Sequence, residues 1–405
     1  MTVFALVAGQ SPVRLWSLDA HERIRRQLQQ AGEITLLERA EALDGLPGNA
    51  RVLLLRADYL YEVRTLTAML ERRDSALFPS QTSQQDGQPA AANVEAAAAT
   101  ETLAALTGQG AIPEHLEHIT PEALGAFDHQ LRKAKPPLLE PVTEDRRDAL
   151  EALLYGSAYK GITDLVTKFV WPRPARHGVR LCARLGITPN TVTTVGFLLM
   201  VWACYLFAEG QFALGLAAGW IMTYLDTVDG KLARVTVRSS RFGHLFDHGM
   251  DVIHPPFWYV FWGTALVAYQ PVLGLELSAL YWLVVGGYVL GRIAEALFHL
   301  LGDASIFSWR PFDAYFRLVT ARRNPCMILL TLSVLAGRPD WGLVSVALWT
   351  AGTTGILLLR LLQGCLVRLR KGPLQSWLAD PTTAAALHPG AYRLFSGTQS
   401  AYAAD

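Results

Sequence analysis

Lysine is absent from the first 132 residues of this 405-residue chain; Lys133 is the first. That half therefore lacks the small mobile ammonium that phosphate-handling loops often use. Cysteine is sparse as well. Cys182, Cys204, Cys326 and Cys365 stand apart, with no spacing suited to a thiolate metal site or a redox pair, so they read as inert thiols in a reducing compartment. Charge of either sign is not in excess. Thirty-six Lys and Arg face 35 Asp and Glu, a net charge of +1, which gives no reason to expect a nucleic-acid partner. The opening MTVFALVAGQ has no basic stretch followed by a long apolar core, so a cleavable signal peptide is not expected. What the chain does have is apolarity: 51% of its residues are hydrophobic, and they concentrate in the later part of the sequence.

Six apolar segments can be drawn, near 191–208, 211–230, 247–269, 276–301, 325–338 and 342–366. The fifth is short of the roughly 20 residues a full span requires. Basic residues sort by side. Arg173, Arg176, Arg180 and Arg184 precede the first segment; Lys231, Arg234, Arg238 and Arg241 link the second to the third. Arg310, Arg317, Arg322 and Arg323 precede the fifth, and Arg368, Arg370 and Lys371 follow the sixth, while the opposite links hold only Arg338. This asymmetry predicts both termini on the cytoplasmic side of an inner membrane. Residues 162–185 mix apolar positions with Lys168 and four arginines, the pattern of an amphipathic helix lying in the interface, broken at Pro172 and Pro174. Within the fourth segment, Arg292 and Glu295 are three apart and could pair or serve the site. Gly286 and Gly287 permit close packing or dimer contact. The arginines of the 310–323 link either anchor it to anionic lipid or form an anion pocket.

Between the second and third segments the chain reads DTVDGKLARVTVRSSRFGHLFDHGMD. Asp226 and Asp229 are three apart, and Asp247 and Asp251 four apart, so each pair shares a helical face. Four carboxylates in one cup repel unless a cation balances them. Hard oxygen ligands favour Mg²⁺ or Mn²⁺, plausibly two ions. Gly230 and Gly243 lack a Cβ and allow close approach of a ligand, Ala233 is nearly as small, and Arg234 is a fixed cation suited to a diphosphate. Metal ions beside such a pocket suit displacement at phosphorus.

The pattern D-x2-D-G-x2-A-R-x8-G-x3-D-x3-D resembles the CDP-alcohol phosphotransferase (CDP-alcohol phosphatidyltransferase) family at every position. The resemblance implies a membrane enzyme of phospholipid synthesis. An acceptor hydroxyl would attack the β-phosphorus of a CDP-alcohol donor and CMP would leave. It implies that Asp226, Asp229 and Asp247 bind metal, that Asp251 is the general base and also a metal ligand, and that Gly230, Ala233, Arg234 and Gly243 line the cytidine diphosphate pocket. The preceding ITPNTVT also resembles that family's entry to its first span. Asn190 and Thr193 would then face the nucleotide, the alternative being Asn190 as a helix cap. A homodimer is an expectation from the family alone. The donor stays open between CDP-diacylglycerol with a soluble alcohol and a soluble CDP-alcohol with a lipid hydroxyl or an inositol phosphate.

The first part alternates strand-like VFALVA (3–8), a helix at 20–31, a possible strand at 34–37 and a buried strand from Arg51 towards Asp58, which predicts an α/β layer. LVAGQSPVRLW and LLRADYLY resemble the phosphate loop and metal-binding Asp of sugar-nucleotidyltransferases, as in fusions of inositol-phosphate cytidylyltransferases to CDP-alcohol phosphotransferases. Ser11 and Pro12 stand in the glycine-rich turn and the loop lysine is missing, so this domain is read as degenerate. Residues 81–112 read as a loop or weak helix, and 113–157 as helical segments. The expected architecture is thus a small cytoplasmic Rossmann-like α/β domain (1–140), a linker with the interfacial helix (141–187), a six-helix transmembrane domain (188–371) and a cytoplasmic tail (372–405). The rival functions are a bifunctional enzyme that makes its own CDP-inositol and a non-catalytic membrane scaffold.

Overall fold

The computed structural model describes residues 3–80, 87–125, 127–239 and 241–397; side chains at 241–242, 244–248 and 251 lie outside the described residues. The N-terminal part is α/β. Strands β1 (Val3–Ala8), β2 (Ile34–Leu37) and β3 (Arg51–Arg56) are followed by β4 (Tyr59–Tyr61), β5 (Ser75–Leu77), β6 (Ala91–Glu95) and β7 (Glu117–Ile119). Two short strands, β8 (Phe127–Asp128) and β9 (Lys133–Ala134), form a hairpin, and β10 (Leu139–Pro141) pairs with β4. The main sheet has the order β2-β1-β3-β6-β5-β7 and is mixed: β1 runs parallel to β2 and β3, whereas β6 is antiparallel to both its neighbours. Its centre is buried on both faces, so β3 reads as the continuous apolar run VLLL rather than an alternation. Helices α1 (Ala20–Ala31), α2 (Val63–Glu71) and α3 (Ala96–Leu106) cover it.

Two sequence expectations fail here. The stretch 81–112 holds a buried central strand, β6, and a helix, because burial between β3 and β5 overrides the weak strand preference of Ala-Ala-Asn-Val-Glu. The stretch 113–157 is helical only at a short turn (Pro121–Leu124) and at α4 (Arg147–Ser157), with four short strands between and around them.

The C-terminal part is a membrane-type helical region. It starts with a π-turn at Val166–Val170 and α5 (Pro172–Leu185). The stretch 162–185 is broken where the sequence placed it, at Trp171–Pro172 between the π-turn and α5; Pro174 falls in the first turn of α5, where no intrahelical N–H bond is lost. Then come α6 (Pro189–Ala208), α7 (Phe212–Val235), α8 (Arg241–Thr264), α9 (Leu277–Tyr281) continuing through a π-turn into α10 (Gly287–Phe298), α11 (Pro311–Val319), α12 (Arg323–Leu335), α13 (Pro339–Lys371), α14 (Pro381–Leu387) and α15 (Pro389–Phe395). Among the described residues three helical stretches are long and apolar enough to cross a membrane, 189–208, 277–301 and 339–371; a fourth arises if the bent pair α11 and α12 is one span. Helices α7 and α8 occupy two of the six anticipated segments, but they carry the charged motif.

Helix α7 lies at the centre. A Cβ on Gly215 would sit 2.5 Å from the Phe207 ring of α6, and one on Gly219 would meet Met327 of α12 at 2.9 Å and Trp258 of α8 at 3.2 Å. Small residues thus let three helices close on the one that carries the first aspartates. Gly287 serves α10 likewise: Thr354 of α13 donates to its carbonyl at 2.8 Å. The two parts share one core, in which Trp16, Leu150 and Tyr155 pack with Val179 of α5 and Val228, Leu232 and Val235 of α7.

Candidate active site

The motif end of α7 and the start of α6 meet at two carboxylates. Asp229 is only 5% exposed and accepts a 2.6 Å hydrogen bond from the Thr193 hydroxyl of α6, an oxygen that also lies 3.0 Å from the Pro189 carbonyl. Asp226, one turn earlier, pairs with the Arg323 guanidinium at 2.5 Å. Asp226, Asp229 and Thr193 border a cavity of about 20 Å³, room for about one ion or water. Arg234 folds back along α7: a Cβ on Gly230 would lie 3.1 Å from its guanidinium, so the glycine gives that side chain space. Ala233 is half-buried on the same helix.

Helix α8 carries Gly243, Asp247 and Asp251 in its backbone, but the side chains of Asp247 and Asp251 lie outside the described residues. Among the described residues no group of three or more acids, histidines or cysteines gathers into a metal site. The described half of the motif nevertheless fits a hard cation: two carboxylates and a hydroxyl face one small cavity.

Asn190 is not the helix cap. Thr188 is, its hydroxyl accepting from the Thr191 N–H at 3.2 Å, with Pro189 at the first helical position and Asn190 exposed after it. The proline at the first position forces the cap one residue earlier.

The small acidic cavity shares Phe197 and Met250 with a second, much larger one. That cavity, of about 760 Å³, lies between α6 and α8 and is lined almost wholly by apolar groups such as Met200, Tyr205, Ile253 and Phe257.

The basic link before α12 divides. Arg323 serves Asp226, and Arg322 and Arg292 both pair with Glu295. Arg317 and Arg322 lie over the Phe307 ring, at 5.4 and 5.7 Å. Arg310 stands apart on Trp309, and its N–H donates to Asp313. Arg132, from the β8–β9 turn, joins the Glu295 group; burial, then Arg317, lowers it to about 10. Asp164 faces Arg317. Burial opposes its charge, but Arg317, the Thr167 N–H and the Asn324 amide hold its carboxyl below the usual range. Of these partnerships the sequence offered only Arg292 with Glu295, three residues apart; the others were hidden because 97 residues separate Arg323 from Asp226 and 27 separate Arg322 from Glu295.

Comparison with known proteins points to one enzyme family. Residues 186–305 match the family model of CDP-alcohol phosphatidyltransferases. An archaetidylinositol phosphate synthase from Pyrococcus horikoshii is 41% identical over 80 residues, 20% of this chain and 42% of that protein. Cholinephosphotransferase 1 from Danio rerio is 36% identical over 90 residues, 18% of this chain and 22% of the relative. Cholinephosphotransferase 1 from Xenopus laevis is 30% identical over 128 residues, covering 28% and 30%. The chain thus spans less than half the length of these relatives. The matched segment contains α6, α7 and α8, and with them every motif residue. The likeness is to an enzyme class of phospholipid synthesis, and the family model begins after the N-terminal α/β domain.

Proposed function

We propose that this protein is a membrane phosphotransferase that moves the phospho-alcohol group of a CDP-alcohol to an acceptor hydroxyl and releases CMP. The observation that carries the reading is the acidic cavity at Asp226 and Asp229 opening beside the apolar cavity between α6 and α8. Polar chemistry at the motif and an apolar chain along α8 could then be accommodated together. In this reading the acceptor oxygen bonds to the β-phosphorus, the bond from that phosphorus to the bridging oxygen breaks, and CMP departs with that oxygen. The acceptor proton passes to Asp251. Arg234, with Gly230, Ala233 and Gly243 around it, holds the diphosphate, and Asn190 and Thr193 border the nucleotide. Mg²⁺ or Mn²⁺, two ions in the fullest case, held by Asp226, Asp229, Asp247 and Asp251 would stabilise the attacking and leaving oxygens. The Thr193 hydroxyl orients Asp229 for that task.

A phosphorylated acceptor is favoured by the arginine group. Arg132, Arg292, Arg317 and Arg322 outnumber Glu295 and Asp164, and the buried Arg317 Nη1 and Arg322 Nε have no protein partner among the described residues. Guanidinium groups with a buried N–H left over suit a phosphate monoester, in keeping with the name of the archaeal relative. The N-terminal domain is read as non-catalytic, since Arg56 grips Asp58 through two bonds, at 3.0 and 2.6 Å. Six spans, an inner-membrane location with both termini cytoplasmic, and a homodimer complete the reading. The test is CMP release by purified protein with Mg²⁺ or Mn²⁺, crossing CDP-diacylglycerol and soluble CDP-alcohols against inositol, inositol phosphate, glycerol phosphate and diacylglycerol. No CMP from any pair sinks the proposal.

A further inference from the structure

Helix α7 ends in a strained turn that another part of the chain holds. The Arg238 N–H donates to the Ala233 carbonyl at 2.8 Å, and the Val237 N–H to the Arg234 carbonyl at 3.3 Å. This is a Schellman ending, which places the residue at Val237 in the left-handed region. Glycine is the usual occupant. Here it is valine, with φ at 49°, and a β-branched residue resists that conformation. The two carbonyls used by the turn belong to Ala233 and Arg234, both motif residues.

Two helix carbonyls are left over at such an end, those of Val235 and Thr236, and the turn adds that of Val237. Helix α1 of the N-terminal domain supplies a donor to each. Arg23 donates to Val235 at 2.9 Å, Arg26 to Thr236 at 2.9 Å and Gln30 to Val237 at 3.3 Å. The spacing of three and then four residues puts the three side chains on one face of α1. Arg23 is 4% exposed, and its other arm donates to the Leu15 carbonyl at 2.7 Å. The Leu15–Leu18 turn is itself fixed. Trp16 and Ser17 both have positive φ, and the Trp16 N–H and indole donate to Glu151. A rigid α/β domain therefore reaches the motif helix through side chains with one carbonyl each. Cationic donors there also complement the negative end of the α7 dipole.

We infer that Arg23, Arg26 and Gln30 are positioning residues: the N-terminal domain clamps the left-handed turn at Val237 and so sets Ala233, Arg234 and Asp229 for the transfer reaction. The inference rests on the proposed transferase function. It gives the domain a task in the same reaction without any chemistry of its own.

The test pairs loss with relief of strain in the full-length protein. Arg26→Ala/Gln30→Ala removes two of the three donors and leaves the buried Arg23 in place. Its kcat/KM for CMP release should fall about tenfold while its melting midpoint stays within the scatter of the wild type. Adding Val237→Gly, which adopts the turn without help, should recover most of that loss. Amide exchange over residues 233–238 should quicken in the double variant and slow again in the triple. Unchanged kcat/KM and unchanged exchange in the double variant would overturn the clamp, as would a triple variant no better than the double. If the wild type releases no CMP, the transferase reading fails, and the exchange arm still decides the clamp.

Discussion

Replacing Arg323 with methionine separates the two ways in which the acidic pair can be balanced. The Arg323 and Asp226 side chains are 12% and 24% exposed and 2.5 Å apart. A hydrogen bond between charged partners in such a setting contributes about 1.5–3 kcal/mol. Methionine keeps the apolar stem beside Met222, whose sulfur lies 3.7 Å from the guanidinium, and removes only the charge. Metal-free Arg323→Met protein should therefore lose about 2 kcal/mol, which for a domain of this size lowers the melting midpoint by about 4–8 °C. A divalent cation replaces the missing charge. At about a hundredfold excess over its dissociation constant it returns about 2.7 kcal/mol, so Mn²⁺ should close most of the gap. It should also bind the variant more tightly than the wild type, since the competing guanidinium is gone. The assay is thermal unfolding in detergent, with chelator and across a Mn²⁺ titration. Equal deficits with chelator and at saturating Mn²⁺, or no deficit at all, would refute the reasoning that Asp226 exchanges an arginine for a metal ion.

Three other outcomes are expected. Thr193→Val removes the hydroxyl that orients Asp229 and should lower kcat for CMP release about tenfold, about 1.4 kcal/mol, with little change in folding; a variant of full activity would remove Thr193 from the site. Cys204→Trp fills part of the cavity between α6 and α8 and should raise KM for the lipid substrate while sparing that for the soluble one, as read from initial rates; equal effects on both would detach the cavity from lipid binding. Burial depresses Lys133 to about 8 from 10.5, so the unfolded chain binds more protons between those values and stability should rise with pH across that window. Lys168, also lowered to about 8 by burial, adds to the same slope, so Lys133→Met should flatten the pH dependence of the melting midpoint only in part.

The sequence made the motif legible because its chemistry is local: carboxylates at three- and four-residue spacing on helix ends need no knowledge of the rest of the chain. Strands β1, β2 and β3 were legible for the same reason, as short apolar runs between turns. Strand β6 was not, because Ala91–Glu95 is a strand only through the neighbours that bury it. Apolarity marks three or four spans among the described residues, whereas α7 and α8 trade apolar length for charge and so carry a weaker signal. Partners far apart in sequence left no trace in spacing. Arg323 on Asp226 and the grip of α1 on Val235, Thr236 and Val237 exist only once α7 is enclosed. The Asn190 alternative failed through a detail of local geometry, a proline that moves the cap to Thr188.

The most direct measurement of the central claim is CMP released per lipid product formed, by the wild type and by Asp229→Asn, in detergent with Mn²⁺ and a CDP-alcohol donor. The account predicts one CMP for each product molecule from the wild type, none when Mn²⁺ is chelated, and a loss of at least about a thousandfold in Asp229→Asn. Undiminished turnover by Asp229→Asn, or product formed without CMP, would contradict it.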